Sequence, residues 1–315
     1  MTECIQTEHL TKHYGKRRGI EDLNMTVPSG MVFCLAGPNG SGKTTTLKIL
    51  STLLRQSSGT AVVCGHDVND DPVGVRRSIS LLQQATVVDP YMTVREYLTV
   101  FCQMQNPELN RAECRDRVDE IVRVLSLERY TDDTALRLSG GYRRRVQLAK
   151  TLVKEAEVYL LDEPTVGFDP EVYRVSWAYI RALTGRGKTV LLTTHNMKEA
   201  EENADDVSLI RDGRIVARGA PDELVKRIGP IVLEVVTSRP IDESQVQRVL
   251  QNTEWMNYWT SGNSLLVTHS EFDQSENFRE RLRRELATDG NTISSVRIRE
   301  SDLSDAYLVL TGKRK

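Results

Sequence analysis

Residues 31–54 read MVFCLAGPNGSGKTTTLKILSTLL. An apolar run ending at Ala36 leads into a glycine-rich turn and then into helix formers, the pattern of strand, loop and helix in immediate succession. Gly37, Gly42, Lys43 and Thr44 fill every fixed position of G-x-x-x-x-G-K-[ST]. Glycines let the backbone curl until successive N–H groups converge on phosphate oxygens with no Cβ in the way. The helix starting near Gly42 aims its positive end at the same anion. Lys43 supplies a point charge for the β- and γ-phosphates, and the Thr44 hydroxyl can coordinate Mg²⁺. The segment Gly37-Pro38-Asn39-Gly40-Ser41-Gly42-Lys43-Thr44-Thr45 is the expected cradle of a nucleoside triphosphate.

Outward from this turn, short apolar runs alternate with amphipathic stretches to about residue 220, an α/β pattern. Strands are expected over 31–36, 60–64, 79–83, 158–162, 189–194 and 207–219, the last a hairpin about Asp212-Gly213. Helices are expected over 42–54, 93–105, 110–126, 141–155, 170–184 and 196–203. VYLLDEPTVGFDP (158–170) places Asp162 and Glu163 at the end of a continuously apolar strand. Asp162 is suited to holding Mg²⁺, directly or through water, and Glu163 to taking a proton from an attacking water. LSGGYRRRVQLAKTLV (138–153) opens a helix with Ser139, Gly140 and Gly141; its apolar face is Val146, Ala149, Leu152 and Val153. A hydroxyl and two bare glycine amides at a helix N-terminus make a second anion site. One chain holds one triphosphate here, so the second site suits a nucleotide held by another copy. Arg143, Arg144 and Arg145 oppose the helix dipole at that turn; they are either a solvated basic face or the partners of phosphate or acidic neighbours.

The order of these motifs resembles the nucleotide-binding subunits of ABC transporters, over residues 14 to 195. The resemblance implies a P-loop ATPase fold: a core sheet, an antiparallel β lobe and a helical lobe. It also implies that Tyr14, in LTKHYGKRRG, stacks on adenine, and that ISLLQQ carries the glutamine that reaches Mg²⁺ or the attacking water. Gln84 is favoured for that role, with Gln83 the alternative. Asp169 would lie at the seam between two subunits, and His195 would contact the γ-phosphate. Phe168 and Tyr142 depart from the residues more usual at their positions. ATP and Mg²⁺ are the implied cofactors. A homodimer or heterodimer of ATPase subunits and a transmembrane permease on a separate chain are the implied partners.

Composition narrows the alternatives. The chain has 315 residues, room for two domains. Its 42 Lys and Arg against 44 Asp and Glu leave a net charge of -2, which argues against a nucleic-acid coat or attachment to lipid by bulk charge. No apolar run approaches the ~18 residues of a membrane span, and the first residues show no signal-peptide core. A soluble intracellular chain is therefore expected, and the resemblance implies a peripheral place on the cytoplasmic face of the membrane. The five cysteines, 4, 34, 64, 102 and 114, are scattered and without C-x-x-C spacing, so reduced, mostly buried thiols are expected. Related ATPases of DNA repair carry long coiled coils between motifs, whereas only 55 residues separate Gln84 from Ser139.

Gly229-Pro230 divides an ATP-binding domain (1–229) from a small α+β domain (230–315). The latter reads as strand 231–237, helix 241–252, strands 255–260 and 264–269, helix 274–288 and strand 292–299, a ferredoxin-like order. Trp255, Met256, Tyr258 and Trp259 crowd one strand, as its own core or as an interface. The ending SDLSDAYLVLTG (301–312) resembles that of daunorubicin-resistance-type export motors. The implied function is the ATP-hydrolysing motor of an exporter of drugs, lipids or other amphipathic compounds. The rivals are an importer motor with a regulatory C-terminal domain and an ABC ATPase outside transport.

Overall fold

The computed structural model describes residues 3–84, 88–250, 255–269, 282, 284–287 and 291–312. Two strands not foreseen in the sequence open it, β1 (Glu3–Tyr14) and β2 (Arg17–Pro28). They pair antiparallel, with register shifts between Thr7 and Leu10 and again near Lys12. Ile5, Thr7 and Leu10 are buried while the intervening side chains are largely polar. Each shift resets the inward–outward alternation, so period-two reading breaks down across this hairpin. The antiparallel lobe is completed by β4 (Ser58–Val63) and β5 (His66–Asp67), in the order β2-β1-β4-β5.

The central sheet is built on β3 (Val32–Ala36), with β6 (Ile79–Leu82), β7 (Val158–Asp162), β8 (Thr189–Thr194) and β9 (Asp206–Arg211). Its parallel part runs β9-β3-β8-β7-β6. Every residue of β3, β7 and β8 is buried, as expected for strands covered on both faces. Register aligns their ends: Ala36 lies beside Thr194, and Asp162 beside Thr193. The residues that follow these strands, Gly37, Glu163 and His195, therefore emerge at one edge of the sheet, where ligands of open α/β folds bind. The Asp212–Gly213 turn, both residues at positive φ, leads into β10 (Arg214–Gly219).

Helix α1 (Lys43–Leu50) follows the phosphate loop and ends four residues short of the expected 54. A short helix not foreseen, α2 (Pro72–Ser78), is capped by Asp71. The helical lobe is formed by α3 (Val94–Gln105), α4 (Arg111–Val124) and α5 (Gly140–Val153). Thr93 with Glu96, and Asn110 with Glu113, close reciprocal capping boxes on the first two. At the far end of α5 the Arg117 guanidinium donates to the carbonyl of Val153 at 2.7 Å, satisfying an acceptor that the helix leaves open. Helix α6 (Pro170–Gly185) starts at the N-cap Asp169, and α7 (Met197–Asn203) and α8 (Pro221–Ile228) complete this stretch.

By packing, the chain divides into Met1–Asn196 with Asn203–Ile215, and Met197–Glu202 with Val216–Lys315. In the second unit, β11 (Ile231–Thr237), β12 (Trp255–Ser261), β13 (Ser264–His269) and β14 (Ile293–Glu300) form an antiparallel sheet in the order β12-β13-β11-β14. That is the strand order of a β-α-β-β-α-β unit. Its first helix is α9 (Glu243–Leu250); the second, expected over 274–288, lies outside the described residues except for 282 and 284–287. Tyr258 packs on the core formed by Leu233, Val235, Leu265 and Val267, while the side chains of Trp255 and Met256 lie outside the described residues. The C-terminal helix Leu303–Thr311 is locked by a capping box and by Arg299, whose Nη2 reaches the buried Asp305 carboxylate at 2.8 Å.

Candidate functional site

An open cavity of about 550 Å³ lies at the strand edge, lined by Tyr14, Arg17, Arg18, Gly19, Asn39, Gly40, Gly42, Lys43, Thr44, Thr45, Gln84 and Glu163. The phosphate loop forms its floor. A Cβ on Gly37 would stand 2.3 Å from the Ile210 carbonyl, and one on Gly42, at φ +110, would stand 2.6 Å from Ile20. Neither position has room for another residue. Lys43 is buried, and its ammonium donates to the carbonyls of Gly37 at 2.7 Å and Pro38 at 3.0 Å. Burial pushes its pKa below the usual lysine range, against the pull of the Glu163 and Asp162 carboxylates. The Ser41 hydroxyl is buried with no hydrogen-bond partner. A desolvated cation and an unmatched hydroxyl in one curled loop fit the oxygens of a polyphosphate.

The carboxylates stand behind this loop. Asp162 accepts from the Thr44 hydroxyl at 2.8 Å and from the Thr193 hydroxyl on the neighbouring strand. Thr44 and Asp162 also border a smaller cavity of about 190 Å³ together with Gln83 and Gln84. Gln84 lines both cavities and Gln83 only the smaller. Among the described residues no cluster of three or more His, Cys, Asp or Glu could hold a metal ion. A hydroxyl, one carboxylate and an amide are instead the sparse donor set that suits Mg²⁺ completed by phosphate and water. Glu163, at φ +50, turns its carboxylate to His195, whose Nδ1 lies 2.9 Å from Oε1.

Arg144 resolves part of the basic run. Its Nη1 donates to the Gln83 carbonyl at 2.7 Å, and its Nη2 to the carbonyls of Asp162 and Glu163, the latter at 2.8 Å. Arg145 is buried, pairs with Asp169, and lies 4.6 Å from the Tyr142 ring centroid. Only Arg143 fits the solvated basic face. Asp169 also caps α6 by accepting from the Val172 N–H at 3.0 Å. That bond, with Arg145 behind it, holds the carboxyl below the usual range.

The adenine-side candidate, Tyr14, is 45% exposed and lines the cavity, its hydroxyl 3.4 Å from that of Thr45. Arg17 faces it directly across the β1–β2 hairpin. Arg17 and Arg18 were not singled out by sequence reasoning, although two cations next to a candidate base-stacking Tyr were a usable signal. Arg18 is paired with Glu21 at 2.8 Å. Ser139, Gly140, Gly141 and Asp169 are not in this cavity. Ser139 and Gly140 lie exposed at the start of α5, where the Ser139 hydroxyl accepts the Tyr142 N–H at 3.5 Å. A third open cavity, about 490 Å³, is lined by Gln84, Val88 and Pro90 together with Leu136, Gly140 and Arg143.

A family model described as ABC transporter matches residues 20–166. The chain is 34% identical over 311 residues to the daunorubicin/doxorubicin resistance ATP-binding protein of Streptomyces peucetius, covering 99% of this chain and 93% of that one. It is 35% identical over 311 residues to a Nod factor export ATP-binding protein of Burkholderia lata, covering 98% and 97%. A solved ATP-binding subunit of an ABC transporter aligns with a TM-score of 0.66 and 26% identity, over 71% of this chain and 92% of that one. A dimeric ATP-binding cassette with bound ADP and Pi aligns at 0.63, over 69% of this chain and 98% of that one; at 24% identity this likeness concerns the fold.

Proposed function

The chain belongs to the ATP-binding proteins of ABC transporters, and on that premise we propose that it is the ATP-hydrolysing motor of an exporter of drugs, lipids or other amphipathic compounds. The observation that carries the chemistry is the convergence of Lys43, Thr44, Gln84 and Glu163 on one cavity, with Asp162 and His195 bonded to its members. Export is supported by the relatives, one named for drug resistance and one for Nod factor export, each aligned through the C-terminal unit as well. No helix among the described residues is long and apolar enough to cross a membrane. In this reading the path for cargo belongs to a separate transmembrane permease, with this chain peripheral on the cytoplasmic face.

In this reading Tyr14 stacks on adenine, the loop amides with Ser41 and Lys43 hold the phosphates, and Thr45 closes the first turn beside them. Thr44, Asp162 and Gln84 would hold Mg²⁺, which offsets charge on the β- and γ-oxygens when bound. Glu163 accepts the proton of the attacking water while His195 positions that carboxylate and meets the γ-phosphate. Catalysis is then mostly placement and charge neutralisation in a partly dry site. Ser139, Gly140, Gly141 and Asp169 lie outside the chain's own cavity and face the nucleotide of a second ATPase subunit, identical or not. The groove between the Gln84 segment and the helical lobe takes the permease. Residues 1–229 carry the ATPase and 230–315 the accessory domain.

The test is to look for a transmembrane permease among the neighbouring genes and co-purify the two, then follow ATP hydrolysis in proteoliposomes. Hydrolysis stimulated by that subunit and abolished by Glu163→Gln is expected. Failure of the two to associate, with the ATPase active alone and indifferent to the membrane subunit, would overturn the motor assignment.

A further inference from the structure

Cys4 and Cys64 are sixty positions apart in sequence, yet the antiparallel pairing of β1 with β4 sets them opposite each other. The register runs from Ile5 against Val63, and the next step outward brings the Cys64 N–H onto the Cys4 carbonyl at 2.7 Å. Their sulfurs are 3.5 Å apart and both thiols are free. Cys64 stands at φ +49 at the strand end, partly exposed, with Cys4 8% exposed behind it. We propose that Cys4 and Cys64 form a thiol–disulfide site, closed into a cross-strand disulfide by a small two-electron oxidant of the hydroperoxide class.

The pair is chemically unequal. The bond between the two sulfurs is the largest influence on each: it lowers the Cys4 thiol, with the hydroxyls of Thr189 and Ser29 adding to the effect, and it pushes Cys64 up. Glu157 opposes ionisation of both. A thiol held low with a second thiol 3.5 Å away is the arrangement of an attacking and a resolving cysteine. The Cys4 thiolate attacks a peroxide oxygen, the O–O bond breaks, and with one proton taken up the products are a Cys4 sulfenic acid and water (or alcohol). The Cys64 sulfur then attacks the sulfenic sulfur, releasing water as the S–S bond forms. The two thiols lose two electrons and two protons in total, and the peroxide takes up both. Cys102 and Cys114 differ in being fully buried within the helical lobe, where the oxidant has no access.

The site lies at the opposite end of β1 from Tyr14, about 30 Å along the strand. Closing it ties β1 to β4 without entering the nucleotide cavity, so it would change thermal stability and leave nucleotide affinity alone. The full chain, treated with hydrogen peroxide and then denatured under alkylating conditions, should show three free thiols instead of five. Its mass should fall by about 2 Da, with the Cys4 and Cys64 peptides joined and released by reductant. The oxidised chain should melt at a higher temperature than the reduced one. Cys64→Ser should leave Cys4 oxidised only to a sulfenic or higher acid, with no joined peptide. Five thiols remaining under oxidant sufficient to oxidise free cysteine, or a joined peptide from Cys102 and Cys114 instead, would overturn the proposal.

Discussion

The Glu163 carboxylate and the His195 imidazole meet directly, Oε1 2.9 Å from Nδ1. They come from the ends of neighbouring parallel strands, so the contact is built by sheet register and not by a flexible loop. Glu163→Gln keeps the shape and the phosphate loop but cannot accept a proton. It is expected to bind ATP with near-native affinity and to turn over at least about 100-fold more slowly, the usual range for loss of a general base. Nucleotide titration beside steady-state phosphate release checks both halves.

Arg17 is exposed in the nucleotide cavity opposite Tyr14, whereas the charge of Arg18 is already met by Glu21. Arg17→Ala should weaken ATP binding by about two- to fivefold at low salt, the range for an exposed ion pair. The difference should shrink as salt rises. Arg18→Ala should bind as the parent does. Titration with a fluorescent ATP analogue at two ionic strengths separates these outcomes.

Arg144 serves three carbonyls from one guanidinium. Arg144→Ala leaves those acceptors without their donor, at about 1–3 kcal/mol for each that water does not reach. Denaturant unfolding should show the loss, and phosphate release should fall with it because two of the carbonyls belong to Asp162 and Glu163. Lysine should rescue little, since a single ammonium does not reproduce the planar fork.

Asp169 titrates below its ordinary 3.8 in the folded chain, through the Val172 N–H first and Arg145 after it. A carboxyl lowered by folding contributes stability that is complete above the unfolded value and is lost as pH falls through the folded one. The unfolding midpoint of Asp169→Ala should therefore lie below the parent's at neutral pH, and the gap should close as pH is taken below 3.8. A gap independent of pH would mean that the cap and the ion pair contribute nothing through charge.

The parts legible in the sequence are those made by neighbours in the chain. Gly37 to Thr45 is one local loop whose chemistry requires fixed types at fixed spacing, and strands such as 158–162 and 189–194 are short runs built around Val and Leu and bounded by turns. The β1–β2 hairpin was hidden because its bulges scramble the alternation that reveals a half-buried strand. Arg144, Arg145 and the Cys4–Cys64 pair gain their meaning from partners 18 to 61 residues away, which no local pattern encodes. Arg17 shows a third case. Its partner across the hairpin is only three positions off, but the turn that joins them had first to be recognised.

Arg144 and Arg145 also bear on how two subunits would work as one. The first turn of α5 presents Ser139 and Gly140 outward, while its next residues grip the backbone of Asp162 and Glu163 and the side chain of Asp169. In the proposed function, the segment facing a partner's nucleotide and the carboxylates acting on the chain's own are thus fastened to the first two turns of one helix. A pull on one is a displacement of the other. In a two-subunit sandwich, each chain would then act as a crossbar, through which the state of one nucleotide is felt mechanically at the other.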